Sequence, residues 1–230
     1  MAYNPFYDED LHHPGPPRIV FSRTEVLHLV VAALALTLGF SLIIADRTDA
    51  LGGFMPKLDW EILLIAFVGV GTGFVLHELA HKVLAQRYGH WAEFRAQFTG
   101  LGLTVIIAAV TQFLFAAPGA VLIQGRVTPR EHGLISLAGP GTNFVIAGVA
   151  IGGYLIGLSS SPTWGVNVAD LAPRLLIGVA KINAVLALFN LVPLGPLDGR
   201  KILRWNGFVW AAALALAIVL LAAVYLNDPA

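Results

Sequence analysis

Apolar residues along the chain gather into long runs separated by short breaks rich in charge, glycine or proline. Five runs, at 26–45, 60–86, 132–158, 175–194 and 205–226, each reach the roughly 20 residues that an α-helix needs to cross a bilayer. The breaks carry turn chemistry, as in Asp46-Arg-Thr-Asp-Ala-Leu-Gly-Gly after the first run and Ser159-Ser-Ser-Pro-Thr-Trp-Gly after the third. The stretch 98–128 fits neither period cleanly. Residues 104–117 are apolar enough to cross but rich in Val, Ile, Thr and Phe, a turn follows at 117–120, and 121–127 is another β-type run. Local pattern leaves both a helix and a hairpin open there. Residues 1–23 mix Pro, Gly, charge and the His12-His13 pair without periodicity, which predicts a mostly irregular N-terminal tail ahead of one membrane domain at 24–230.

Composition agrees with the pattern. The 230 residues are 57% hydrophobic and 12% charged, against about 25% charged in a soluble domain, so the expected class is an all-α polytopic membrane protein whose surroundings are a lipid bilayer. A formal net charge of +0 gives no polybasic surface for nucleic acid. With Cys at 0 there is no disulfide framework and no thiolate ligand, so any metal falls to His, Asp or Glu.

Against that apolar background one octet stands out: Phe74-Val-Leu-His77-Glu78-Leu-Ala-His81. Four residues apart on a helix, His77 and His81 share a face and are able to hold one Zn²⁺ while Glu78 acts on water. Ionisable groups are costly in lipid and are kept there mainly for function. His77 lies 17 residues beyond the interfacial Trp60, roughly 25 Å along a helix in a hydrocarbon layer about 30 Å thick. The metal is therefore expected inside the membrane, near the far face.

A catalytic zinc takes three protein ligands. Near the apolar runs stand Glu25, Asp46, Glu61, Asp170 and Asp198. The first four read as ordinary loop-flanking residues, whereas Asp198 follows the proline-broken Pro193-Leu-Gly-Pro196-Leu, irregular backbone of the kind membranes accept only beside a cavity or buried in protein. Asp198 is the predicted third ligand. To meet the histidines it must lie on their side of the membrane, which allows an even number of crossings between them and makes 98–131 re-entrant. The same arrangement puts Arg18, Arg23, Lys82, Arg87, Arg95, Arg126, Arg130, Arg200, Lys201 and Arg204 on one side, leaving Arg47, Lys57 and Arg174 on the other. By the positive-inside rule the crowded side is cytoplasmic, which predicts a multi-pass cell-membrane protein with its active site near the cytoplasmic face and five crossings.

Taken in order, His77-Glu78-x-x-His81, Ala138-Gly139-Pro140-x-x-Asn143-Phe144 and Asn190-x-x-Pro193-x-x-Pro196-Leu197-Asp198-Gly199 resemble the site-2 protease family of intramembrane zinc metalloproteases over residues 60–204. The resemblance implies one Zn²⁺ per chain held by His77, His81 and Asp198, Glu78 as catalytic acid/base, and Asn190 as a catalytic side chain that holds the substrate or the developing oxyanion. The expected fold is about five to six transmembrane helices, and the resemblance agrees with a membrane-embedded β-hairpin between the first two core helices and implies transmembrane proteins as substrates. Gly195 and Arg200 depart from the family pattern without touching a ligand, and regulation through PDZ or CBS modules is not expected. Asn143 and Asn190 are equally suited to interhelical hydrogen bonds. A metal-ion transporter or sensor is the rival from another class; a different membrane zincin would need a later Glu as third ligand, and no Glu follows Glu131.

Overall fold

The computed structural model describes residues 19–45, 58–113, 118–160 and 171–228. Most of the expected tail, with His12, His13 and Arg18, lies outside the described residues, as do Asp46, Arg47, Lys57 and Asp170. Helix α1 spans Arg23–Ile44, α2 Trp60–Val70, α3 Leu76–Arg87, α4 Phe98–Thr111, α5 Pro129–Ser160, α6 Leu171–Leu191, α7 Asp198–Trp205 and α8 Gly207–Asn227. Strands β1 and β2 are Trp91–Ala96 and Gly119–Gln124. Among the described residues five helices are long and apolar enough to cross a membrane: α1, the α2–α3 unit, α5, α6 and α8. The molecule is an all-α polytopic protein with one small β element.

Helix starts follow local chemistry. The Ser22 hydroxyl accepts the Glu25 N–H ahead of α1, Asp59 accepts the Ile62 N–H ahead of α2, and Asn206 accepts from Phe208 and Val209 ahead of α8. Thr128 and Glu131 exchange hydrogen bonds at the start of α5, a reciprocal capping box. In the largest of four buried apolar clusters, Leu29, Leu36 and Phe40 of α1 meet Ala66, Val70, Phe74, Ile182 and Leu186. At the N-terminal ends of α2 and α6, Glu61 pairs with Arg174, so these helices run parallel. Asp228, at the end of α8, pairs with Lys181 of α6.

The expected β element exists, but it is not built where the sequence placed it. Residues 98–111 are a helix, and β2 pairs antiparallel with β1, from Trp91↔Gln124 to Ala96↔Gly119. The β1 segment is too short and too charged, with Glu93 and Arg95, to register as a span or as half of an apolar hairpin. Helix α4 has 14 residues, about 21 Å at the helical rise, so it falls short of a crossing. Its entry and exit are tied together by the Gln97 N–H donating to the Pro118 carbonyl at 3.0 Å. The segment leaves the end of α3 and returns to it, as the parity of crossings requires. Cysteines placed at Arg95 and Thr128 in this otherwise cysteine-free chain should accordingly react with an impermeant thiol reagent from one and the same face; reaction from opposite faces would rule out the re-entrant path.

Candidate metal centre

The helix that carries the histidines is irregular just before them. Between α2 and α3, Gly71–Val75 forms a π-helical turn, a device that re-aims side chains and recurs at functional sites. Beyond it His77, Glu78 and His81 all point inward and are buried. Asp198 reaches them from the other end of the sequence. After α6 the chain turns through Gly195, whose φ of +52° is left-handed, and α7 starts at Asp198. Gly199 passes so close to α6 that a Cβ there would lie 2.0 Å from the Leu191 carbonyl oxygen. The same carbonyl accepts the Trp210 indole N–H at 2.9 Å, so α8 braces the loop that presents Asp198.

The three side chains converge. Asp198 Oδ2 lies 3.3 Å from His77 Nε2 and 3.0 Å from His81 Nε2, and one ligand atom from each residue falls within 4.8 Å of the others. The far ring nitrogens are already engaged: His77 Nδ1–H donates to Asn143 Oδ1 at 2.6 Å and His81 Nδ1–H to the Ile135 carbonyl at 2.7 Å. Such outer bonds fix the tautomer that leaves both Nε2 lone pairs facing Asp198. On the Asp198 carboxylate, Oδ2 is the oxygen that faces both rings. Lys201 Nζ donates to the second oxygen, Oδ1, at 3.2 Å.

Space for an ion is built in as well. A Cβ on Gly139 would stand 2.4 Å from His81 Nε2 and 2.5 Å from His77 Nε2, close to the ~2.0–2.1 Å of a zinc–nitrogen bond. The missing side chain thus leaves a volume where both imidazoles aim. Two nitrogens and a carboxylate oxygen are a borderline donor set that suits zinc, with room for a fourth ligand.

A cavity of about 730 Å³ opens onto this centre, lined among others by Glu78, Asn190, His132, Pro118 and residues 119–123 of β2. Of the residues singled out from sequence, His77, His81 and Asp198 meet, and Glu78 and Asn190 line the shared cavity. The Asn190 amide donates one hydrogen to the Leu186 carbonyl at 3.1 Å. Asn143, which sequence left between two roles, holds an imidazole; its Nδ2 donates to the Gly73 carbonyl of the π turn at 2.8 Å and to Asn183 Oδ1 at 3.1 Å. Sequence reasoning missed Gly139 as a spacer and Asn183 as a support, although the first lay inside a quoted motif. It also misread Glu25, which is fully buried against Lys82.

Neither a family model nor a solved structure matches the chain. A Methanocaldococcus jannaschii protein that carries the name of a zinc metalloprotease is 37% identical over 192 residues, covering 83% of this chain and 89% of that protein. The chain belongs to the site-2 protease family. Another relative so named, Rip2 of Mycolicibacterium smegmatis, is 30% identical over 197 residues, with 80% of this chain and 71% of that protein covered. Rip3 of Mycobacterium tuberculosis is 29% identical over 160 residues that cover 69% of this chain but 34% of its own length, so the chain spans about a third of that longer relative. Within this member of the family the volume beside Gly139 yields a direct test. Gly139→Ala should abolish stoichiometric zinc while helix content persists, and Asn143→Leu should weaken zinc ~10–100-fold through the loosened imidazole. Wild-type zinc content in Gly139→Ala would mean that the ion sits elsewhere.

Proposed function

We propose that this chain is an intramembrane zinc endopeptidase that hydrolyses a peptide bond within or beside a transmembrane segment of another protein. The observation that carries the reading is the buried His77, His81 and Asp198 cluster with Glu78 on the wall of the same cavity, inside a bundle of helices long and apolar enough to cross a membrane. The ligands are His77, His81 and Asp198. Zinc held by them supplies Lewis-acid chemistry, acidifying water toward pKa ~7 and polarising the scissile carbonyl.

Glu78 is the proton carrier. It takes the proton from the attacking water and hands it to the leaving amine, the two transfers that peptide hydrolysis requires in sequence. The second N–H of Asn190 is the donor assigned to the carbonyl oxygen as negative charge develops there. A helical substrate keeps its carbonyls in internal hydrogen bonds, so it must be drawn out locally before attack. Strand β2 lines the cavity and offers the extended chain a partner by β-augmentation. The membrane domain at 24–230 does this work, with the site toward the cytoplasmic face by its excess of Lys and Arg.

Glu78→Gln separates this reading from a metal transporter. The variant should keep about one zinc per chain and lose ~10²–10⁴-fold in cleavage of single-span substrates whose helices contain Gly, Pro or Asn. Product ends should map inside the span or at its edge. Near wild-type cleavage by Glu78→Gln sinks the acid/base assignment, and zinc flux into liposomes that the change leaves untouched would favour transport.

Asp198→Ala tests the ligand set independently of turnover. Loss of the third ligand should empty the site at zinc concentrations that saturate wild type, measured by metal analysis after dialysis. Full retention would leave the two imidazoles without the partner assigned to them.

A further inference from the structure

A two-stranded sheet has two outer edges, and both are able to pair with an extended peptide. Here the edges differ. On β1 the outward backbone groups are taken by side chains. The Phe94 N–H donates to Glu25 Oε1 at 3.0 Å, the Ala96 N–H donates to His28 Nδ1 at 3.2 Å, and the Ala92 carbonyl accepts from Gln86 Nε2 at 3.3 Å. Glu25 and His28 both belong to α1. Glu25 is fully buried and is neutralised by Lys82, the residue next to His81, whose ammonium also lies 4.2 Å over the Phe21 ring. His28 is steadied by an edge-on contact with Phe98, ring centroids 5.3 Å apart.

On β2 the outer edge is met at one point, where the Val121 backbone lies against the Glu78 carboxylate. In an antiparallel pair, residues opposite each other that do not exchange hydrogen bonds turn their backbone groups away from one another. Phe94 and Ala96 face α1, so their partners Val121 and Gly119 face the opposite way, and Ile123, opposite Ala92, shares their parity. That way lies the cavity. Residues 119–123 of β2 all line it, while among the described residues none from β1 does. The edge therefore runs beside the proposed proton carrier, and Gly119 and Ile123 flank that contact.

We infer that His28 and Glu25 are positioning residues for the substrate strand: by taking the outward amides of β1 they close that edge and leave the outer edge of β2, beside Glu78, as the one an extended peptide joins. This rests on the proteolytic reading above and adds to it a role for α1, which lies outside the stretch that carries the family motifs. The inference also names the pairing residues, since only Gly119, Val121 and Ile123 offer backbone groups on that side. His28 is the better probe because it sits away from the ion pair. Asn places an acceptor where His Nδ1 stands, whereas Leu keeps the bulk against Phe98 and removes the acceptor.

The test uses the full chain in detergent with a single-span substrate that carries one cysteine beside its cleavage site. Disulfide capture should occur with Leu122→Cys on β2 and not with Arg95→Cys on β1, and this arm needs no change at His28. His28→Leu should raise KM about 5-fold, the weight of one hydrogen bond, with kcat and zinc content unchanged, and should let capture appear at position 95. His28→Asn should return both readouts to wild type. Capture at 95 in the otherwise wild-type chain, or an unaltered KM in His28→Leu, overturns the edge assignment while wild-type cleavage leaves the proteolytic reading standing. A wild type that neither cleaves the substrate nor captures it at 122 overturns both.

Discussion

Two imidazoles and a carboxylate coexist in an apolar interior only when every polar atom left over by the metal-facing arrangement has its own partner. An unsatisfied buried group costs about 1–3 kcal/mol, and there are several here. His77 Nδ1 is taken by Asn143, His81 Nδ1 by the Ile135 carbonyl and Asp198 Oδ1 by Lys201. Asn143 in turn needs the Gly73 carbonyl and Asn183, and Asn183 donates to Thr72 Oγ1 and the Val179 carbonyl. This chain of obligations dictates which elements adjoin. Helix α5 must cross α3 at Ile135 and Asn143, and α6 must stand behind both, which carries its C-terminal end to the position from which Asp198 enters.

Irregular backbone collects around the same place. The π turn at Gly71–Val75, Pro140 within α5, the turn from Val192 to Leu197 and the β1–β2 pair all border the centre or its cavity. Regular helices keep their N–H and C=O groups to themselves, so the proposed grip on a peptide backbone inside a membrane calls for segments that do not. The structure confines that liberty to one wall. Helix α1 consumes the far edge of the sheet, and the buried Glu25–Lys82 pair ties that edge to the helix of the histidines. Breaking one member of such a pair strands the other charge, which makes α1 part of the site's framework although it supplies no ligand.

The sequence by itself determined the fold class and the family, and it pointed to the residues that converge on the metal centre. Runs of apolar residues about 20 long define the spans because a bilayer sets their length, and polar residues inside such runs are few enough that His77, Glu78, His81 and Asp198 stand out. Parity of crossings led us to expect a re-entrant 98–131, and its helix is too short to be a span. What only the tertiary structure decided were the pairings between distant segments. Strand β1 is short and charged, and its β conformation comes from β2 on one side and α1 side chains on the other, so nothing local announces it. Helix α4 forms from Val- and Ile-rich sequence because packing along α1 outweighs a weak local preference for strand. Glu25 looks like a loop-flanking carboxylate until Lys82, 57 positions away, is brought against it. Gly139 lay in view within its motif, but its reason is steric: the space it leaves exists only once α5 lies across the two imidazoles.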